Sequence, residues 1–476
     1  MMDYRIEADS MSRVRIPAIA YYGAHTQRAI ENFPISGRRM PREFIQAIGI
    51  IKCAAAEANI ALGILEREIG EAIMRAAREV AEGRFDTQFL VDVYQTGSGT
   101  STNMNANEVI ANRAIELLGG KIGTRTPVHP NDHVNRCQSS NDVIPSALHI
   151  SALETIEKTL IPELTSLHEA LHEKAKQFRR IVKVGRTHLQ DAVPIRLGQE
   201  FGGYASQIEH GIRRLKSLRR HLSELALGGT AVGTGLNAPK EFGLLAIEKI
   251  AKFTDIPFVQ AKNPIEANTA RDASVEASGQ LKTLAVSLMK IANDLRWMSS
   301  GPRCGLGEIS LPALQPGSSM MPGKVNPVIP ESTMMVCATV MGHDAAITIG
   351  AQHGNLELNT MMPMIADHLL ESIRLLANAS KNLAEQCVKG ITANESRTRA
   401  LVEKSLALAT SLAPKIGYDA AARIVNEAFS TDKTVLQVCI EQEILPKKEA
   451  QRLLNPTLLT KHQPLKMQKN RAPFGD

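Results

Sequence analysis

From Leu281 to Met298 the apolar residues Leu281, Leu284, Leu288, Ile291, Leu295 and Met298 step by three and four without a break. That is the period of a helix carrying one apolar stripe. Phe201, Tyr204, Ile208, Ile212, Leu215, Leu218 and Leu222 repeat the pattern, as do Ile156, Leu160, Ile161, Leu164, Leu167 and Leu171. Helices this long cannot each hide a stripe alone, so they must pack side by side as a bundle. The fold class expected is therefore all-α, mainly helical, and seams of this length also point to subunit association. No strand-rich domain and no repeat of fixed period is visible. The first forty or so residues and residues 124–142 read as irregular, and 461–476 as a frayed polar tail.

Composition narrows the function classes. Of 476 residues 43% are hydrophobic and 22% charged, as in an ordinary soluble globular chain. No run approaches the length of uncharged apolar sequence that a membrane span needs. The start, M-M-D-Y-R-I-E, lacks an apolar signal segment, and Asp3 argues against a transit peptide, so the expected location is cytoplasmic. Lys+Arg number 55 and Asp+Glu 49, a net charge of +6. That mild excess, with only 4% aromatics, argues against nucleic-acid binding. The six cysteines form no C-x-x-C pair. Spacing alone leaves open an iron–sulfur cluster built from three of them.

Four polar loops interrupt the helical pattern. Gln315–Glu331 reads Q-P-G-S-S-M-M-P-G-K-V-N-P-V-I-P-E. Its prolines forbid a continuous helix and its glycines let the backbone turn. Two hydroxyls (Ser318, Ser319), one cation (Lys324) and one amide (Asn326) sit between the breakers, as an anionic substrate requires. A phosphate loop is excluded, because five residues separate Gly317 from Gly323 and Val325 follows Lys324. Thr96–Asn107 places Thr96, Ser98, Thr100 and Asn103 where a helix begins, which suits either ordinary N-capping or an anion on free N–H groups. In His129–Asp142, Pro130 breaks the geometry that a metal pair of His129 and His133 would need. Ser139, Ser140 and Asn141 there form a second set of neutral donors, or a turn. Gly185–Pro194 contains His188, a lone histidine in a polar loop. Gly233–Ala238 fits a loose dinucleotide pattern, but no βαβ unit surrounds it, so it reads as a turn.

Taken together, these loops resemble the fumarase/aspartase superfamily, and within it the class II fumarate hydratases. The superfamily signature G-S-S-x-M-P-x-K-x-N-P is met in full from Gly317 to Pro327. Aspartate ammonia-lyases share Gly185-Arg-Thr and Gly233-Thr-Gly-Leu-Asn. Three segments favour the hydratase: T-G-S-G-T at Thr96–Thr100, S-S-N-D at Ser139–Asp142, and the run from His129 to Asn135.

The resemblance implies a homotetramer with a central bundle and active sites drawn from three subunits. It implies three domains, taken here as 1–140, a long-helix bundle at 141–395, and a small helical domain at 396–476. It also implies a tricarboxylic-acid-cycle lyase that hydrates fumarate reversibly to (S)-malate with no cofactor and no metal. Ser318 is then the base, and His188 paired with Glu331 handles water. Ser98, Thr100, Asn103, Ser139, Ser140, Asn141, Thr187, Lys324 and Asn326 hold the substrate. His129, Asn131 and Asp132 resemble a secondary carboxylate site, although Thr126 stands where many fumarases carry an arginine. An aspartate ammonia-lyase and a non-catalytic scaffold on the same fold are the rival expectations.

Overall fold

A computed structural model describes residues 3–461. The expected polar tail at 462–476 lies outside the described residues. The chain is mainly helical, and its strands form only two-stranded ribbons among the described residues. The three apolar stripes fall on helices. Ile161–Gln177 carries part of the first, Leu197–Ser217 most of the second, and Asp272–Met298 the third. Leu281, Leu288, Ile291 and Leu295 of the third are fully buried.

The residues group into two compact units, each discontinuous in sequence. One comprises residues up to Thr165, His210–Met289 and Thr333–Ser380; the other comprises Ser166–Glu209, Lys290–Ser332 and residues from Lys381 on. The boundaries fall inside long helices, because a single helix of this length contributes residues to more than one cluster.

In the first unit, the segment read as irregular starts instead with an antiparallel ribbon, Tyr4–Ala8 on Arg13–Pro17, and continues with the helix Ala24–Asn32. Both strands are short and rich in charge, so their alternation is hard to see in sequence. The helices Arg42–Ala61 and Arg67–Ala81 meet at Gly49, where a Cβ would lie 2.8 Å from the Ala81 nitrogen. Arg42–Ala61 is apolar and long enough to cross a membrane, yet 72% of it is buried, which marks a core helix. Val328–Ala351 passes the same test with only 28% buried within one chain.

In the second unit, the ribbon Val182–Thr187 on Gln190–Arg196 packs against short helices of the C-terminal segment. Val184, Leu408, Leu412, Ile424, Val435 and Val438 form the small core there. Gly185 marks a register shift, and a Cβ on it would lie 2.4 Å from the Val193 carbonyl oxygen.

Candidate functional site

Two helix starts meet in the first unit. Thr100–Leu117 begins after Gly99, whose φ of 73° suits glycine. Ser140–Thr155 begins at Ser139, whose hydroxyl accepts from the Asn141 N–H at 3.2 Å while Asp142 accepts from the Ser139 N–H at 2.9 Å, a capping box. Ser98 Oγ lies 2.8 Å from Thr100 Oγ1, which lies 2.8 Å from Ser140 Oγ. The dipoles of both helices thus meet beside a chain of hydroxyls, an arrangement that favours an anion even though Gln95 Oε1 already accepts from the Thr102 N–H at 3.0 Å and Ser139 from the Asn141 N–H. Close packing makes the loop rigid: a Cβ on Gly97 would lie 1.9 Å from the Thr360 carbonyl oxygen. Asn141 Nδ2 donates to the Ala231 carbonyl at 2.8 Å.

Asn103 is not presented with these donors. It is buried, and its amide donates to Asn135 Oδ1 at 3.2 Å. The sequence reading also passed over Asp142. This fully buried carboxylate accepts from Ser139, Gly228 and Thr230 N–H groups and so ties three loop segments together. Burial pushes it up to about 6, against those backbone donors. The S-x-x-D spacing before an apolar run was the signal for it.

In the second unit, the loop holding His188 is the tip of the Val182–Thr187/Gln190–Arg196 hairpin. Thr187 pairs with Gln190, leaving His188 and Leu189 as a two-residue turn with φ of 56° and 59°. Such turns normally carry Asn-Gly, because both positions are left-handed. A bulky residue there costs on the order of 1–3 kcal/mol, a strain typical of functional sites. Thr187 and His188 are exposed within one chain.

Beneath this hairpin lies a quartet of charges that the sequence reading also missed. Glu308, fully buried, accepts from Arg186 Nη1 at 2.9 Å and lies 3.3 Å from Lys183 Nζ, which also lies 3.1 Å from Glu200. Two cations and two carboxylates thereby brace the strand that ends at Thr187. Nothing local in sequence links positions 183, 200 and 308.

The Pro/Gly loop is folded on itself. Ser318 Oγ accepts from the Met320 N–H at 3.1 Å and the Met321 N–H at 2.9 Å. Asn326 Nδ2 donates to the Gly317 carbonyl at 2.6 Å, and a Cβ on Gly317 would lie 2.8 Å from the Asn326 nitrogen. Lys324 is exposed, and Glu331 lies in the first turn of Val328–Ala351. Within one chain the structure does not bring Glu331 to His188: no hydrogen bond or ion pair joins them among the described residues, since one sits at a hairpin tip and the other on a helix.

His129, Asn131 and Asp132 do come together. His129 caps its own turn, its Nδ1 accepting from the Asn131 and Asp132 N–H groups at 3.2 Å, with an Asp132 carboxylate oxygen 3.2 Å away. Thr126 is exposed, and Arg125 has a φ of 59°. The six cysteines are unpaired, five of them buried, and no group of three or more His, Cys, Asp or Glu suited to a metal occurs among the described residues.

Residues 12–342 match the family described as lyase, and residues 408–461 match the fumarase C C-terminus. The chain belongs to the lyase family. Relatives that match it over most of its length include class II fumarate hydratases. It is 52% identical to fumarate hydratase 2 of Arabidopsis thaliana, covering 95% of this chain and 91% of that one. It is also 52% identical to the class II fumarate hydratase of Nitrosomonas europaea, covering 92% and 95%. Among solved structures, it matches the class II fumarase of Schistosoma mansoni with a TM-score of 0.94 at 39% identity, covering 96% and 99%.

Proposed function

We propose that this enzyme, a hydro-lyase, catalyses the reversible hydration of fumarate to (S)-malate. Run as dehydration, the reaction removes a weakly acidic proton from the carbon beside a carboxylate. The resulting aci-carboxylate carries an additional negative charge, and stabilising it is the main difficulty. Fixed donors answer that difficulty, each contributing about 3–4 kcal/mol.

One observation carries the reading most directly: Ser318 Oγ accepts two backbone N–H groups. A serine is a weak base, and such donors stabilise its alkoxide, with Lys324 of the same loop supplying a cation. Ser318 takes the C3 proton. Lys324 and Asn326 hold one substrate carboxylate. Ser98, Thr100, Ser139, Ser140, Asn141 and Thr187 bind the rest of the dianion. His188, oriented by Glu331, handles water or the departing hydroxyl, a role that contributes about 10²–10⁴ in rate. Asn103 acts from behind this set, through Asn135. His129, Asn131 and Asp132 form a secondary carboxylate site. That site is weakened by Thr126 and by the engagement of His129 Nδ1 with backbone.

Subunits associate as a homotetramer, and each active site draws on three of them. That no hydrogen bond or ion pair joins Glu331 to His188 within one chain among the described residues supports this, as does the apolar Val328–Ala351 helix left largely uncovered. Unpaired and mostly buried cysteines suit the reducing cytoplasm.

The deciding assay follows fumarate by ultraviolet absorbance, supplying malate and then aspartate. Malate should be turned over, and Ser318→Ala should abolish that at native stability. Turnover of aspartate alone would make the enzyme an ammonia-lyase. Near-native hydration by Ser318→Ala would remove Ser318 as the base.

A further inference from the structure

Lys52 interrupts the apolar run Ile50-Ile51-Lys52-Cys53-Ala54 in the middle of the helix Arg42–Ala61, and it is completely buried. A buried ammonium is costly unless compensated. Yet no ion pair involves Lys52 among the described residues. Its Nζ donates instead to two neutral oxygens, Asn135 Oδ1 at 2.9 Å and Gln138 Oε1 at 3.0 Å. Asn135 Oδ1 also accepts from Asn103 at 3.2 Å and Asn107 at 3.1 Å, both on the helix that starts at Thr100. Asn135 in turn donates to the Gln138 carbonyl at 3.1 Å. This cage holds the turn that leads directly into Ser139, Ser140 and Asn141.

The charges around Lys52 are few. Asp142 is the charged group that acts on it, and its oxygens are taken by the Ser139, Gly228 and Thr230 N–H groups. Glu108, on the Thr100–Leu117 helix, is engaged by the Gly23, His25 and Thr26 backbone. Glu57 pairs with Lys249 of the Lys240–Thr254 helix. Arg78, on the Arg67–Ala81 helix, acts on Cys53. Asp132, His133 and Arg136 of the turn are exposed or half-buried. A methionine would fill the same space without desolvating a charge, so packing alone gives no reason for a cation here.

We propose that Lys52 is a positioning residue for dianion binding: caged behind the Ser139–Asn141 turn, its ammonium fixes that turn through Asn135 and Gln138, and it takes up a proton when a dicarboxylate binds in front. The proposal rests on the dicarboxylate reading of the donor set. Burial lowers Lys52 to about 7, so at neutral pH the empty enzyme holds this proton only in part. An approaching dianion favours the charged form and completes the protonation. Binding should therefore be tighter below that value and weaken above it.

The test is calorimetry of succinate, a dicarboxylate that cannot be hydrated, in buffers of different ionisation heat from about pH 6.5 to 8.5, a range that brackets the lysine. Wild-type enzyme should take up a fraction of a proton near neutrality. Lys52→Met should lose that uptake and bind about tenfold more weakly at the acid end, equivalent to one pKa unit. Lys52→Arg, whose charge is permanent, should lose the proton uptake seen near pH 7 and the weakening of binding from there to pH 8.5, Asp142 at about 6 acting only at the acid end; it carries the same test if the methionine variant does not fold. Succinate binding without proton uptake by the wild type would overturn the role of Lys52. So would uptake that survives unchanged in either variant. No binding of any four-carbon dicarboxylate by the wild type would instead refute the dicarboxylate reading itself.

Discussion

Replacing Glu308 by glutamine removes one charge from the quartet under the His188 hairpin without changing its volume. The wild-type cluster is balanced, with Lys183 and Arg186 against Glu200 and Glu308. Glu308→Gln leaves two cations facing one carboxylate. Lys183 and Arg186 have side chains only 2% and 14% exposed, so water cannot take over the missing role. Breaking a buried pair by removing one partner costs about 3–5 kcal/mol. Glu200 still faces Lys183, and a glutamine oxygen can still accept from Arg186, so the lower figure of about 3 kcal/mol applies. Urea unfolding at fixed protein concentration should show that loss. A displaced hairpin tip should also lower kcat by about a hundredfold for a shift near 1 Å. A single variant within about 1 kcal/mol of wild type, the size of a surface ion pair, and with native kcat would refute the bracing role.

Three further outcomes follow from other parts of the molecule. Met335 is 67% exposed on the Val328–Ala351 helix, and if that helix forms the core of the homotetramer proposed above, Met335→Lys should dissociate it and abolish turnover, since burying a methionine contributes about 1.5–3 kcal/mol per copy; a wild-type mass by sedimentation would contradict this. A thiol reagent should modify Cys304 alone in the folded enzyme, because the other five cysteines are buried and burial pushes Cys337 and Cys387 up to about 12; rapid labelling of a second cysteine in folded enzyme would refute it. His149 is held neutral by burial, lowered from 6.5 to about 4, with its Nδ1 at 2.8 Å from the Glu224 carbonyl. The folded state therefore binds fewer protons, and stability falls as pH drops through that window by up to about 3 kcal/mol; His149→Gln should flatten this acid limb, and an unchanged limb would exclude the histidine.

Much of the architecture is readable along the chain. Helical stripes are local patterns, and so are the Pro/Gly interruptions, which is why the mainly helical class and the Ser318–Asn326 loop follow from spacing. The His188 segment reads as a loop because His-Leu is not the usual signal for a two-residue turn. The hairpin forms because pairing of Val182–Thr187 with Gln190–Arg196 and the charges beneath it outweigh the turn's own preference.

Residue types, their order and the signature loop are thus properties of the sequence itself, because they depend on neighbours a few positions apart. Tertiary packing alone joins Thr100 to Ser140, forty positions away, and sets Lys183 and Arg186 against Glu308. It also buries Lys52 behind the donor turn, against Asn135 and Gln138. Those arrangements arise from helices and the hairpin packing on segments distant in sequence, and the burial that results decides how each charge behaves.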